Sequence, residues 1–138
     1  MDIGRGPICL RCVCINGIER LFDMYLRPES AAIQVVVYAR PRPSSGEFYE
    51  ARFEHASPGV LRQVVMSHHG QQEYMAKGIP EAVLLEMRRR FGCRIESSPS
   101  YDAGAGQFRG APANRVWDRL VRRGLAVWDE RRAVYSLV

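Results

Sequence analysis

The stretch IQVVVYAR at residues 33–40 most limits what this chain can fold into. Its apolar and β-branched residues are nearly continuous, which is typical of a central strand buried on both faces. Residues 47–55 (EFYEARFEH) alternate instead, and Tyr49, Ala51 and Phe53 fall on the face expected to meet the core. The loop PRPSSG between the two segments is too long for a tight turn. The pattern therefore predicts an antiparallel N-terminal hairpin.

Helical spacing is found on either side of that hairpin. Apolar residues recur at helical spacing in 18–26, which predicts a short helix that ends before Pro28. A second helix is predicted over 57–69, because Ser57 suits the N-cap position and Pro58 the first helical position. The N-terminal part is therefore predicted to combine a hairpin with helices.

The C-terminal half begins with a predicted helix at 80–91, which starts at a proline and ends at Gly92. A short strand at 93–97 follows it. Residues 98–110 are rich in glycine, serine and proline, which predicts a loop. The polar connector at 71–78 is the predicted boundary between the two halves of the chain.

The last segment shows the clearest amphipathic pattern. Residues 112–123 have one apolar and one basic face at helical spacing, and Gly124 suits the position after a helix end. Residues 125–128 and 133–138 then predict two strands of a hairpin around the polar turn at 129–132.

Strands and helices do not alternate as βαβ units would, so the predicted class is α+β. The N-terminal part is an antiparallel hairpin with helices, and the C-terminal part is a helix, a strand, a helix and a hairpin. The predicted domains are residues 1–78 and 79–138, or one continuous domain.

The run RLVRRGL, followed by a polar turn and DERRAVYSL, resembles the recognition helix and wing of winged helix-turn-helix proteins, particularly the MarR type. The resemblance covers residues 112–138. It implies a winged helix in the C-terminal part, with 80–91 as the first helix and 94–96 as the first strand. The loop at 98–110 stands where that motif has its second helix.

Six arginines are the candidate nucleic-acid-binding residues. Four lie on the basic face of the predicted terminal helix and two in the turn of the hairpin. They are Arg115, Arg119, Arg122, Arg123, Arg131 and Arg132. Guanidinium groups on a recognition helix bind phosphates and guanine edges, and a hairpin reaches the adjacent backbone. The pattern predicts a nucleic-acid-binding module such as a transcriptional regulator, although a solvated helix face would look the same.

A protein-interaction or assembly module without catalytic activity is the alternative function. Lys77 is the only lysine among 20 basic residues, and the net charge of +5 favours anionic partners, including acidic proteins. Pairing of the strand at 33–40 across a sheet edge would give a homodimer. An enzyme, with zinc held by cysteines, is a third hypothesis.

Three cysteines near the N-terminus, Cys9, Cys12 and Cys14, form a C-x2-C-x-C motif. Thiolates at this spacing can bind Zn²⁺, which usually takes four ligands. Alternation along a strand would place Cys9 on the opposite face from the other two, and small buried cysteines explain the motif without a metal. We therefore predict no metal, no cofactor and no catalytic residue.

The hydropathy pattern predicts a cytoplasmic protein without a membrane partner. No stretch approaches the roughly 20 apolar residues that a transmembrane helix needs. The N-terminus has neither an uninterrupted apolar region nor a small-residue cleavage site, so it does not resemble a signal peptide.

Overall fold

The computed structural model describes residues 6–99 and 111–138, with only the backbone of Ala111. Within these ranges the chain forms eight strands, a short 3-10 turn and two α-helices. In chain order they are β1 (Ile8–Val13), β2 (Glu19–Pro28), β3 (Ala32–Ala39), β4 (Tyr49–Ser57), β5 (Val60–Ser67), the 3-10 turn (Gln72–Tyr74), α1 (Ile79–Phe91), β6 (Arg94–Ser97), α2 (Ala111–Arg122), β7 (Ala126–Asp129) and β8 (Val134–Leu137).

All eight strands belong to one sheet, in the spatial order β1-β2-β3-β4-β5-β6-β8-β7. The first five form an antiparallel meander. β6 then runs parallel to β5, and α1 lies in the crossover between them. β8 pairs antiparallel with both β6 and β7. The sheet therefore continues without interruption from the N-terminal meander to the C-terminal hairpin.

One face of this curled sheet packs against the two helices. The strands alternate, so every second side chain enters the core, as Phe22, Met24 and Leu26 do from β2. From the helices, Met87 of α1 and Trp117 of α2 are fully buried in the same cluster. Both helices thus cover the same face, and the other face carries polar side chains such as Gln34 and Arg52 together with Val36, Tyr25 and Tyr38.

The predicted α+β class is wrong. The structure is mainly sheet, with 44% strand and 22% helix, and its N-terminal part contains five strands, two of them where helices were expected. The predicted segment at 18–26 is β2, and the predicted helix at 57–69 is β5. The reason differs between the two segments.

In β2 the apolar residues Phe22, Met24 and Leu26 also alternate, so the segment satisfies a period of two as well as helical spacing. The segment forms a strand and not a helix because its backbone pairs with β1 on one side and with β3 on the other. At the start of β5, Ser57 pairs with Val60, which leaves Pro58 and Gly59 as a two-residue loop. Gly59 has φ 77°, so Pro–Gly is a turn here and not a helix start.

The predicted winged helix is also wrong. β7 and β8 are not a free wing, because β8 hydrogen-bonds to β6 and so belongs to the eight-stranded sheet. α2 packs on that sheet, and Trp117 stacks on Tyr135 of β8 with ring centroids 5.8 Å apart. The DNA-binding character expected from a recognition helix and wing therefore has no support in the fold.

Several predicted elements are confirmed. β3 and β4 form the predicted antiparallel pair, with Tyr49, Ala51 and Phe53 buried. The helix at 80–91, the strand at 93–97 and the terminal helix and hairpin are present as α1, β6, α2, β7 and β8. β3 lies between β2 and β4, so it has no free edge for the expected pairing with a second copy. Residues 100–110 of the predicted loop lie outside the described residues.

Candidate functional site

A cleft of about 600 Å³ lies between the end of β1, the segment before α1 and the exposed side of α2. Its walls combine apolar and charged residues from four separate parts of the chain. They are Val13, Ile15, Ala76, Gly78, Glu81, Arg119 and Arg123.

At the back of the cleft, the backbone at the end of β1 contacts the backbone of the segment before α1. Gly78 precedes α1 with φ 75°, and a Cβ built on it would overlap the carbonyl oxygen of Val13. Beside this contact, the N–H of Ile15 donates to the carbonyl oxygen of Ala76 at 3.0 Å. Glycine is therefore required at position 78 both by its left-handed conformation and by the close approach of β1.

One wall of the cleft is charged. Glu81, in the first turn of α1, is 8% exposed and accepts hydrogen bonds from Nε of Arg119 at 3.1 Å and from Nη2 at 2.5 Å. Arg123 lies one helical turn beyond Arg119 and lines the same cleft. It has no ion-pair partner among residues 6–99 and 111–138. Two guanidinium groups against one carboxylate leave this wall with one excess positive charge.

Another part of the cleft wall is apolar and exposed, and it is formed by Val13 and Ile15. These two residues belong to the tip of the β1–β2 hairpin, which also carries Ile18 and Leu21; we call these four residues the apolar tip. Ile15 is 88% exposed, and the other three range from 39% to 60%. Single exposed apolar residues are ordinary, but a group of four at one hairpin tip is typical of an interaction surface.

Beneath the cleft, two buried groups stay protonated. Burial raises the pKa of the Cys12 thiol to about 12, and nearby Cys14 and Glu81 add to the effect. Burial, followed by the charge of Glu81, likewise raises the pKa of Tyr49 well above its usual value. The Tyr49 hydroxyl has no hydrogen-bond partner within the described parts of the chain. A protonated, covered thiol is a poor nucleophile, so Cys12 is not suited to nucleophilic chemistry.

The other face of the sheet carries a second basic group, centred on Glu96 of β6. This carboxylate is fully buried and binds Arg62 Nη2 at 2.8 Å and Arg132 Nη2 at 2.9 Å. Arg94 approaches it to 3.9 Å and donates to Ser136 Oγ through Nε and Nη2. Three strands and the turn of the last hairpin meet at this carboxylate.

The six predicted arginines therefore divide into three groups. Arg119 and Arg123 line the cleft, and Arg132 binds Glu96. The remaining three are exposed and have no ion-pair partner in the described ranges; they are Arg115, Arg122 and Arg131. Contact of the six with nucleic acid stays a prediction.

Local patterns did not identify the acidic partners of these arginines. From the sequence alone, Glu81 is an acidic residue in the first turn of a predicted helix, where a negative charge is favourable without any partner. Its position between the buried residues Ile79 and Val83 was the available signal. In the same way, Glu96 follows the buried Ile95 in a strand of only four residues. Their partners come from elements distant in sequence, so no spacing rule links them.

The three cysteines of the motif do not face the same way. Cys9 and Cys12 lie on opposite faces of β1, and Cys14 follows the end of that strand. Cys9 is exposed, whereas Cys12 and Cys14 are buried. In the described part of the chain, no group of three His, Cys, Asp or Glu side chains could hold a metal ion. None of the described helices is long and apolar enough to span a membrane.

Comparisons with known proteins add no family. No family model matches the chain, and no match was found among curated proteins. The functional argument therefore depends on the geometry of the cleft and of the two arginine groups.

Proposed function

We propose that this protein is a protein-interaction module that binds an acidic partner segment in the cleft between the apolar tip and α2. One observation carries the proposal: the exposed residues Val13 and Ile15 line the same cleft as Arg123, which has no ion-pair partner among the described residues. A partner with an apolar side chain next to a carboxylate could cover the apolar wall and pair with Arg123 at the same time.

The two walls contribute different terms to such binding. Covering apolar surface stabilises a complex by about 25 cal/mol per Å² of area buried. An arginine at the rim adds orientation and speeds association, because opposite charges attract before contact is made. Arg119 is held in place by Glu81, so the charged wall is already ordered in the free protein.

The size of the cleft also fits a short anchor. A volume of about 600 Å³ lies within the range of about 300–1,000 Å³ that is usual for ligand sites. It accommodates a few side chains and not a folded domain. The partner is therefore expected to present an extended or helical segment with Leu or Phe flanked by Asp or Glu.

The test uses three labelled short peptides of matched length and fluorescence anisotropy. The first contains Leu and Phe flanked by Glu, the second replaces Glu by Lys, and the third replaces Leu and Phe by Ser. We expect only the first to bind. Arg123→Glu should weaken its binding by about tenfold or more, because about 1.4 kcal/mol corresponds to a tenfold change. Ile15→Ser should have a similar effect.

Arg131→Glu is the matched control, since it makes the same charge change at an exposed position outside the cleft. It should alter binding less than about twofold. Equal binding of the Glu and Lys peptides, or no effect of Arg123→Glu, would contradict the proposal. Binding of a labelled duplex that depends on Arg115 and Arg122, with no peptide binding, would assign this face to nucleic acid.

A further inference from the structure

The arginine group around Glu96 is not used by the proposed interaction and lies on the other face of the sheet. Successive side chains of a strand point to opposite faces, and Ile95 points into the core, so Glu96 points away from it. We infer that Arg94 and Arg132 form a clamp for a tetrahedral oxyanion, either inorganic phosphate or a phosphate monoester.

The clamp is anchored from below. Nη2 of Arg132 donates to both carboxylate oxygens of Glu96, at 3.1 and 2.9 Å. Nε and Nη2 of Arg94 donate to Ser136 Oγ at 3.3 and 3.2 Å. These contacts fix both side chains before a ligand arrives, which reduces the conformational entropy lost on binding.

Both guanidinium groups keep donors for a ligand. A guanidinium has five N–H donors in a planar fork. Nη1 of Arg94, and Nε and Nη1 of Arg132, have no partner among the residues that the structure describes. The side chains of Arg94 and Arg132 are 47% and 40% exposed, so a ligand can reach both of them from solvent. Phosphate oxygens match such a pair of forks.

The charged groups around the two arginines nearly balance. Arg62, Arg94 and Arg132 against Glu96 leave two excess positive charges. Asp129, which accepts the backbone N–H of Arg132 at 3.1 Å, reduces the excess to one. Glu54 lies opposite Arg62 on the neighbouring strand and offsets the remaining charge, because Arg52, which approaches Glu54 to 3.9 Å, is itself paired with Glu29. Recognition of an oxyanion therefore depends on the N–H donors of Arg94 and Arg132 and not on an excess of charge.

The first measurement is isothermal titration of the full chain with inorganic phosphate, with O-phosphoserine and with chloride at equal ionic strength. We expect binding of one or both phosphates and none of chloride. Arg94→Gln combined with Arg132→Gln should weaken it by about tenfold or more. Arg62 remains in that variant as the partner of Glu96, and near-UV circular dichroism checks that the fold is retained.

The control is Arg122→Gln combined with Arg131→Gln, which removes the same charge from exposed positions. It should change the affinity less than about twofold. An equal loss in both double variants would show only general charge attraction, and would overturn the clamp. Absence of binding to either phosphate would also overturn it.

A second readout locates the ligand directly. The NMR signals of the arginine Nε–H groups should shift on phosphate addition at Arg94 and Arg132 and not at Arg122. Tighter binding of O-phosphoserine than of inorganic phosphate would identify a monoester as the ligand class. Peptide binding in the cleft should be unchanged in the Arg94 and Arg132 double variant, so the two sites can fail independently.

Discussion

At the scale of single residues, the buried thiol of Cys12 links the site to the stability of the fold. Its pKa is raised from 9.0 to about 12 by burial, so the native state keeps the proton while the unfolded chain loses it. The unfolded state binds fewer protons between those two pH values, and stability must therefore fall as the pH rises. We expect a loss approaching about 1.4 kcal/mol per pH unit above pH 9.

Urea unfolding under reducing conditions at a series of pH values measures this slope. Cys12→Ala should lower the slope, although it also lowers stability at neutral pH because a buried side chain is truncated. Tyr49 contributes to the alkaline loss with the same sign, since burial also raises its pKa. Cys9→Ala, at an exposed position, is the control. An unchanged slope in Cys12→Ala would contradict the expectation.

Gly78 illustrates a residue whose neighbours matter as much as its own conformation. Gly78 and Gly124 have almost the same φ, 75° and 74°, but only Gly78 has backbone within 4 Å of a Cβ position. Alanine at either residue costs about 1–2 kcal/mol of left-handed strain. At Gly78 it must also displace β1 from α1, which adds about 1–3 kcal/mol.

Comparing Gly78→Ala with Gly124→Ala in urea therefore separates the close approach from the backbone strain. We expect the first variant to be the less stable by about 2 kcal/mol, the middle of the range for overpacking. Its peptide binding should weaken as well, because Gly78 lines the cleft. Equal losses in the two variants would mean that β1 moves away from α1 freely.

At the scale of secondary-structure elements, local patterns predicted some of the strand pairs that are local in sequence and missed others. The β3–β4 hairpin, both helices and the terminal hairpin follow from alternation, helical spacing and glycine stops. β5 was missed although its antiparallel partner β4 is adjacent in sequence, because Ser57 and Pro58 fit a helix start as well as a tight turn. Its parallel partner β6 lies beyond α1, and no rule of local spacing detects that second pairing.

The site was predictable to a similar extent. The amphipathic pattern placed Arg119 and Arg123 on the basic side of α2, where they line the cleft. It did not give the partner of Arg119, because Glu81 is 38 residues away in the chain. The sequence also did not reveal that Ile15 is exposed, because an isoleucine at a hairpin tip cannot be distinguished by sequence from one in a core.

At the scale of the whole molecule, the continuous sheet makes the two halves of the chain depend on each other. β5 of the N-terminal meander and β6 of the C-terminal half are hydrogen-bonded neighbours, and one core cluster contains residues from both halves. A substitution that destabilises the meander should therefore also destabilise the C-terminal hairpin. This expectation can be tested because the only two tryptophans, Trp117 and Trp128, lie in the C-terminal half.

Phe53 of β4 is fully buried, far along the chain from either tryptophan. Phe53→Ala truncates this side chain and should lower the free energy of unfolding by about 3–5 kcal/mol. Phe53→Leu keeps most of the volume and should lower it by less than about 1.5 kcal/mol. We expect both substitutions to shift the urea midpoint of tryptophan fluorescence together with that of far-UV circular dichroism, because one cooperative transition moves all probes equally. If the fluorescence midpoint stayed fixed while the dichroism midpoint fell, the two halves would unfold separately in spite of their shared sheet. The cleft uses β1, α1 and α2, so binding would then be lost before the C-terminal hairpin unfolds.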